Sequence, residues 1–221
     1  MFIKSSLENK KAILIIYADD IILTSDYGKE LVKLKKLLAK EFEIKDLGYL
    51  IYFLDIEVAR SRKGIHVSQR KYVLYLLKEI GMLGWKPVET SMDSTKKIKA
   101  GQDITLVDKG RYQRMVGRLI YLSHTRPDIG FSVNVVIQFM NNPIEEHMEA
   151  VNRILRYLKM TLERGLLYKK GGNRNVEIYS DTDWAGDILD RRSTSGYCSY
   201  VWGNLVTWKS KKQQVVSRSS A

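Results

Sequence analysis

Two adjacent aspartates, Asp19 and Asp20, stand between two aliphatic runs in the stretch A-I-L-I-I-Y-A-D-D-I-I-L-T-S-D. Carboxylates buried among aliphatic residues are costly unless they are paired or bound to a cation, and adjacent carboxylates also repel each other. A carboxylate pair at a hairpin turn is suited to hold Mg²⁺, which accepts a few carboxylates together with phosphate oxygens. Two such ions can activate a hydroxyl and stabilise the leaving oxygen in phosphoryl transfer. The pattern therefore predicts either this metal chemistry or an exposed Asp-Asp turn with no ligand.

A second acidic cluster, D-T-D-W-A-G-D, begins at Asp181 directly after the predicted strand Val176 to Ser180. An acid at the end of a first strand, ahead of an antiparallel hairpin, also suits metal-assisted phosphodiester chemistry. The alternative is an acidic loop that connects two strands. Neither cluster decides the function by itself.

Basic and aromatic residues alternate near the C-terminus in W-K-S-K-K-Q, residues 208–213, and residues 205–221 contain no acid. Lys209, Lys211 and Lys212 are suited to contact phosphates. On duplex DNA each neutralised phosphate would add about 0.9 to the log-log salt dependence of binding. A solvated strand face is the alternative interpretation.

The composition favours a globular protein with a polyanionic partner. The 221 residues are 44% hydrophobic and 28% charged, enough for one or two domains with a substantial core. The net charge of +12 favours nucleic acid ahead of an anionic membrane. A single cysteine, Cys198, excludes an internal disulfide and is predicted to be a half-buried strand residue, and three scattered histidines lack metal-ligand spacing. No signal peptide or transmembrane segment is predicted, which indicates an intracellular protein without specifying the compartment.

Around the aspartates, β-branched and aliphatic runs predict two strands, Ala12 to Ile16 and Ile21 to Thr24, joined by a tight turn. Ser25 or Asp26 is expected to cap a helix that runs to about Glu41, with leucines on one face and lysines on the other.

The same periodicity predicts the later elements. They are a hairpin of strands Leu50 to Val58 and Ile65 to Ser68 with Gly64 at its turn, helices over Gln69 to Ile80, Arg111 to His124, Asp128 to Met140 and Ile144 to Leu162, and strands over Val176 to Ser180, Thr194 to Trp202 and Leu205 to Lys209. Residues 86–108 and 169–173 lack periodicity and are predicted boundaries.

Taken in order, these stretches resemble the Pol polyprotein of copia-type LTR retrotransposons. The Y-A-D-D box is similar to that family's Y-V-D-D polymerase motif, and K-D-L-G-Y-L-I-Y-F-L-D-I-E-V resembles its primer-grip hairpin. G-I-H-V-S-Q-R-K-Y-V resembles the following segment, and R-Y-Q-R-M-V-G-R-L-I-Y-L-S-H-T-R-P-D-I resembles the connection region. Y-S-D-T-D-W-A-G-D-I-L-D-R-R-S-T-S-G-Y-C and W-K-S-K-K-Q-Q-V-V-S-R-S-S are similar to the opening of the RNase H domain.

The resemblance implies an α+β protein in three parts. Residues 1–93 would be part of a reverse-transcriptase palm with its primer-grip hairpin, 94–170 thumb and connection helices, and 171–221 the first part of an incomplete RNase H-like β-sheet. Asp19 and Asp20 would hold catalytic Mg²⁺ or Mn²⁺, Asp181 would be the first RNase H metal ligand, and Tyr17 would lie beside the primer terminus. The implied partners are an RNA or DNA template-primer duplex and deoxynucleotides.

Two positions depart from the family pattern. Ala18 replaces the valine of the polymerase motif, which is a modest change in the turn. Asp55 stands where the primer-grip hairpin usually has glycine, and an added carboxylate there is expected to repel a primer phosphate.

In the family, a third palm carboxylate lies upstream of the aspartate hairpin, and a glutamate-bearing RNase H helix follows the segment that ends here at Ala221. We therefore expect this chain, as a fragment of an RNA-directed DNA polymerase with RNase H, to have little or no activity by itself. The alternatives are a non-catalytic nucleic-acid-binding remnant of a retrotransposon, or a remnant whose product does not fold.

Overall fold

The computed structural model describes residues 1–6, 9–93, 98, 107–171, 174–183 and 192–216. The chain divides into two compact units, Met1–Ile51 and Tyr52–Ala221, and each has its own internal packing. Both contain helix and antiparallel sheet, so the predicted α+β class is confirmed. The boundaries predicted after residues 93 and 170 both lie inside the second unit. Residues 94–97, 99–106, 172 and 173 of the predicted boundary segments lie outside the described residues.

The first unit is a three-stranded antiparallel sheet followed by one helix. Its strands are β1 (Phe2–Ser5), β2 (Lys11–Tyr17) and β3 (Asp20–Ser25), in spatial order β1-β2-β3. Strands β2 and β3 confirm the two strands predicted beside the aspartates. The sequence does not predict β1, because this short strand is exposed at every residue and shows no alternation of apolar and polar side chains.

Helix α1 (Gly28–Glu41) ends where the sequence predicts, but its beginning differs. The N-cap is Tyr27 with no side-chain cap, so the expectation that Ser25 or Asp26 caps the helix is wrong. The Asp26 carboxylate instead accepts a hydrogen bond from the Lys11 backbone N–H at 2.7 Å, and the Ser25 hydroxyl accepts one from the Tyr27 N–H at 2.9 Å. Both side chains are therefore used at the open end of the β2–β3 hairpin, where they satisfy backbone donors.

The second unit begins with a four-stranded antiparallel sheet. Its strands, in spatial order, are β4 (Tyr52–Phe53), β5 (Ile56–Ser61), β6 (Gly64–Ser68) and β7 (Leu166–Tyr168). The strand predicted over Leu50 to Val58 is therefore interrupted, and β7 has no counterpart in the prediction. Gly64 has φ +143°, and a Cβ there would lie 2.1 Å from the Tyr168 carbonyl oxygen, so only glycine allows β6 and β7 to approach this closely.

Four α-helices and a 3-10 turn form the core of this unit. They are α2 (Arg70–Glu79), α3 (Lys109–Leu122), the 3-10 turn Pro127–Ile129, α4 (Gly130–Ile137) and α5 (Glu145–Met160). Their apolar faces meet in a cluster whose fully buried members include Leu77, Val116, Leu119, Leu122, Val136, Val151, Ile154 and Leu158. None of the helices in the described part of the chain is long and apolar enough to cross a membrane.

The single helix predicted over Asp128 to Met140 is wrong at both ends. Pro127 begins a 3-10 turn before α4, and after Ile137 the backbone continues with bonds from residue i+3 to residue i, such as Met140 N–H to the Ile137 carbonyl. The tighter turns shorten the regular helix to eight residues. Helices α2, α3 and α5 agree with their predictions to within two residues at each end.

A third antiparallel sheet follows in the same unit. It contains β8 (Val176–Thr182), β9 (Arg192–Val201) and β10 (Asn204–Val216), with β9 in the middle and Cys198 half-buried on it, as predicted. Strand β10 runs well beyond the predicted end at Lys209. The Trp208 indole N–H donates a hydrogen bond to the Ser123 carbonyl at 3.0 Å, which ties β10 to the end of α3.

A buried ion pair joins the segment after α3 to the end of α5. The Arg126 side chain is only 2% exposed, and its guanidinium donates two hydrogen bonds to the Asp128 carboxylate at 2.9 and 2.7 Å. It also donates to the Thr161 carbonyl at 3.0 Å, while the Tyr157 hydroxyl donates to Asp128 at 2.7 Å. Burial opposes the ionisation of Asp128, but the hydrogen bonds from Arg126 and Tyr157 outweigh it and hold the pKa of Asp128 below its usual value.

We expect Asp128→Asn to lower the free energy of unfolding by about 3 kcal/mol, because it leaves the buried Arg126 charge uncompensated. Since folding lowers the pKa of Asp128, its ionised form contributes stability above the unfolded pKa of about 3.9. That contribution is lost as the pH falls through the lower folded pKa. Urea unfolding followed by tryptophan fluorescence, at neutral pH and from about pH 5 to pH 2, measures both effects.

The matched control is Glu163→Gln, which makes the same change of charge at a side chain that is 84% exposed. We expect its effect to stay within about 0.5 kcal/mol. Equal losses in the two variants would contradict the prediction.

Candidate metal centre and nucleic-acid interface

The β2–β3 hairpin closes on a two-residue turn made of Ala18 and Asp19, and its last paired residues are Tyr17 and Asp20. Ala18 has φ 47°, a left-handed conformation that costs an L-residue about 1 to 2 kcal/mol. The strands below the turn are aliphatic on both faces, so the two-residue turn rather than the side-chain pattern fixes the register. This pairing places both aspartates at the tip.

Both aspartates are exposed to solvent. The flanking aliphatic runs build the strands and do not enclose the turn, so the desolvation argument made from the sequence does not apply and no partner is needed to hold the acids. Their oxygens are of the kind that Mg²⁺ prefers, and solvent exposure leaves room for water and phosphate oxygens in its coordination shell. Within the described ranges, no group of three or more His, Cys, Asp or Glu side chains is arranged to hold a metal.

Tyr17 lies beside the aspartates. Its side chain is 56% exposed, and because it pairs with Asp20 across the hairpin, the two side chains lie on the same face. The arrangement therefore puts an aromatic ring and a carboxylate next to each other at the tip, with Asp19 in the turn above them.

The predicted primer-grip hairpin contains a tight turn that the sequence does not reveal. Leu54 and Asp55 both have left-handed backbone, with φ 47° and 58°, between β4 and β5. This conformation gives a physical reason for a glycine at position 55, and aspartate tolerates it better than most residues. The Tyr52 hydroxyl donates a 2.6 Å hydrogen bond to Asp55, which raises the pKa of Tyr52 to about 12. The carboxylate expected to repel primer phosphate is therefore held by a neighbouring side chain.

Asp181 lies on β8, the edge strand of its sheet, where all seven residues are exposed. Its carboxylate accepts a hydrogen bond from the Thr182 N–H at 2.9 Å. The Asp183 carboxylate accepts a hydrogen bond from the Thr194 N–H at 2.5 Å, so this side chain is bound to the backbone of β9. The rest of the predicted cluster, residues 184–187, lies outside the described residues.

The three C-terminal lysines do not share a surface. Lys209 and Lys211 alternate on one face of β10 and are exposed, with Lys209 paired to Tyr197 of β9. Lys212 is partly buried and lies on the other face together with Trp208, which packs towards the helices. The predicted phosphate-binding set therefore divides into an exposed pair and one lysine on the opposite face.

Comparison with known proteins identifies the family to which this chain belongs. Residues 1–94, which contain both the aspartate hairpin and the β4–β5 turn, match the family described as reverse transcriptase (RNA-dependent DNA polymerase). The chain is 44% identical over 207 residues to the retrovirus-related Pol polyprotein from transposon RE1 of Arabidopsis thaliana, covering 94% of this chain and 14% of that protein. It is also 42% identical over 210 residues to the retrovirus-related Pol polyprotein from transposon RE2 of the same plant, covering 94% of this chain and 14% of that protein.

A third relative is matched over most of its own length. It is the uncharacterized mitochondrial protein AtMg00810 of Arabidopsis thaliana, 38% identical over 210 residues, covering 94% of this chain and 86% of that protein. No solved structure matches the chain. The chain belongs to the reverse-transcriptase family of copia-type retrotransposon Pol polyproteins, and it spans 14% of the length of the RE1 and RE2 polyproteins.

We expect Ala18→Gly to slow amide hydrogen exchange along β2 and β3 about fivefold, because glycine relieves about 1 kcal/mol of left-handed strain. Ala18→Val, with a β-branched side chain at positive φ, is expected to accelerate exchange. The control is Ala39→Gly in α1, which introduces the same glycine at a helical position and should accelerate exchange in that helix. Slower exchange in the Val variant than in the parent would contradict the prediction.

Asp55→Asn is expected to lower the pKa of Tyr52 from about 12 towards its ordinary value of 10.0, because the hydrogen bond to a carboxylate is lost. Spectrophotometric titration of tyrosinate measures the shift, and Tyr52→Phe identifies which transition belongs to this residue. A transition that stays in place in Asp55→Asn would show that another group raises the pKa.

Proposed function

We propose that this chain provides the aspartate hairpin of an RNA-directed DNA polymerase, which extends a primer along an RNA or DNA template. The observation that supports it most directly is the position of Asp19 and Asp20, exposed together at a hairpin tip inside the segment that matches the reverse-transcriptase family. In this proposal residues 1–93 belong to the palm with its primer-grip hairpin, and residues 94–170 are the thumb and connection helices.

The two carboxylates would hold Mg²⁺ or Mn²⁺ together with phosphate oxygens of a deoxynucleotide. When bound, the ions would favour deprotonation of the primer hydroxyl and stabilise the leaving oxygen. The hairpin supplies two carboxylates as metal ligands at its tip. Because both are exposed, a phosphate can approach them from solvent. Tyr17, on the same face as Asp20, would flank the primer terminus.

We assign residues 171–221 to the first part of an RNase H-like domain. Support comes from the antiparallel sheet of β8, β9 and β10, with Asp181 exposed on its edge strand as the proposed first metal ligand. The exposed pair Lys209 and Lys211 would contact phosphates of the bound strand. Lys212, on the opposite face, is a weaker candidate for the same role.

We also propose that the chain by itself has little or no polymerase or RNase H activity. Asp19 and Asp20 are two of the three palm carboxylates that the family resemblance implies, and Asp181 is one of a larger RNase H set. A pair of exposed carboxylates binds a divalent ion weakly, since water must supply most of the ligands.

A primer-extension assay on the purified chain, with Mg²⁺ or Mn²⁺ and a template-primer duplex, tests this proposal. We expect no template-dependent synthesis. Template-dependent synthesis would contradict the proposal if Asp19→Asn abolishes it and the control Asp46→Asn, on the surface of the same unit, does not. That result would show that the chain is active and that its activity requires the Asp19 carboxylate.

A non-catalytic nucleic-acid-binding role is the second candidate, favoured by the net charge of +12 and by lysines exposed on strand and helix surfaces. Salt-dependent binding to the duplex that is the same in the parent chain and in Asp19→Asn, without extension, would support it. Binding that requires Asp19 and a divalent ion would instead favour a retained polymerase site.

A further inference from the structure

Helix α1 carries four lysines on one face. Lys29, Lys33, Lys36 and Lys40 are all exposed, and their spacing of four, three and four residues places them within about 60° of one another around the helix axis. They extend over about 16 Å along the axis. Leu31, Leu34 and Leu38 lie on the other side of the helix and are partly buried, on the face by which α1 packs against β3. We refer to these four residues as the α1 lysine stripe.

The charges of the stripe are not neutralised by the described part of the chain. The other lysine of the helix centre, Lys35, forms an ion pair with Asp46 at 2.7 Å, and Glu30 of the first turn is held by Lys4 at 2.6 Å. Lys33 is close enough to Glu30 to help lower its pKa, after the larger effect of the Lys4 hydrogen bond. Among the residues described, no carboxylate forms an ion pair with any member of the stripe.

The stripe is unfavourable for the helix itself. Like charges three and four residues apart repel by a few tenths of a kcal/mol for each pair. Lys29 in the first turn is unfavourable for the helix dipole and Lys40 in the last turn is favourable by a similar amount, so the mutual repulsion of the lysines remains. A polyanion bound along the stripe would relieve this repulsion.

We propose that the α1 lysine stripe binds the phosphate backbone of a nucleic-acid duplex. One strand of a duplex carries a phosphate about every 3.4 Å along its axis, so the length of the stripe matches about five successive phosphates. Binding to an anionic membrane is disfavoured, because an interfacial helix inserts a continuous apolar face. The exposed apolar residues of α1, Val32 and Leu37, lie on opposite edges of the stripe, about 140° apart around the helix axis, and form no such face. This inference rests on the proposed function only for the class of partner, a nucleic-acid duplex.

The test is fluorescence anisotropy of a labelled template-primer duplex, without nucleotides, over about 50 to 200 mM salt. We expect Lys→Gln at all four stripe positions to weaken binding at least tenfold and to reduce the log-log salt slope by about 3 to 4, near 0.9 for each lost contact. The matched control is Lys→Gln at the exposed lysines Lys45, Lys63, Lys78 and Lys109, which removes the same four charges outside α1. We expect the control to lower the slope by less than about 1.

Thermal unfolding by circular dichroism separates lost contacts from lost structure. Because the stripe is unfavourable for α1, the stripe variant is expected to unfold at the same or a higher temperature than the parent at low salt. Equal duplex affinity and slope in the stripe and control variants, or no duplex binding by the parent, would overturn the inference. The same variants are also compared for binding to vesicles rich in anionic lipid. If the stripe substitutions weaken binding to the vesicles and leave duplex binding unchanged, the inference is overturned in favour of a membrane surface. Because no nucleotide is added, this binding result does not depend on whether the chain extends a primer, so the inference and the proposed polymerase role fail separately.

Discussion

Two-residue turns impose the register of the hairpins on which the candidate site depends. A two-residue turn allows only one register of the strands it joins. It therefore fixes which side chains lie at the tip and which lie on each face of the hairpin. In the described part of the chain these turns are Ala18–Asp19, Leu54–Asp55, Arg62–Lys63 and Trp202–Gly203. Five residues of the turns other than Arg62–Lys63 have positive φ, and only Gly203 of the five is a glycine. Those three tips are therefore strained, and cross-strand pairing below them offsets the strain.

In the first unit this constraint explains why the aspartates are exposed. The aliphatic residues of β2 and β3 pair with each other along the hairpin, and the turn projects the carboxylates beyond them into solvent. A phosphate and an ion can reach oxygens in this position without an entry path through the fold. The geometry of the tip avoids the cost of burying two adjacent charges.

Positive charge is used in two ways in this chain. In the second unit, Arg126 is buried, and its hydrogen bonds to Asp128 and Thr161 connect the segment after α3 with the end of α5. The same unit includes β10, joined to the helices through Trp208, so the strands that we propose as the first part of an RNase H-like domain share one compact unit with the helical core. On α1 of the first unit, by contrast, the four lysines of the α1 lysine stripe stay exposed to solvent.

The sequence by itself determined the family of the protein, the main helices, the strands around Asp19 and Asp20, and the tight turn that carries the two aspartates. Those features follow from periodicity and motif order, which are local properties. Only the tertiary structure decided the exposure of the aspartates, the turn at Leu54 and Asp55, and the pairing of β6 with β7. It also decided the separation of Lys212 from Lys209 and Lys211, because the sequence predicts the strand only to Lys209 and the continuation of β10 to Val216 places Lys212 on the opposite face. A tight turn without glycine, or a strand partner far along the chain, leaves no local signal. Which side chains meet, and which face solvent, depends on packing between elements that the sequence does not place next to each other.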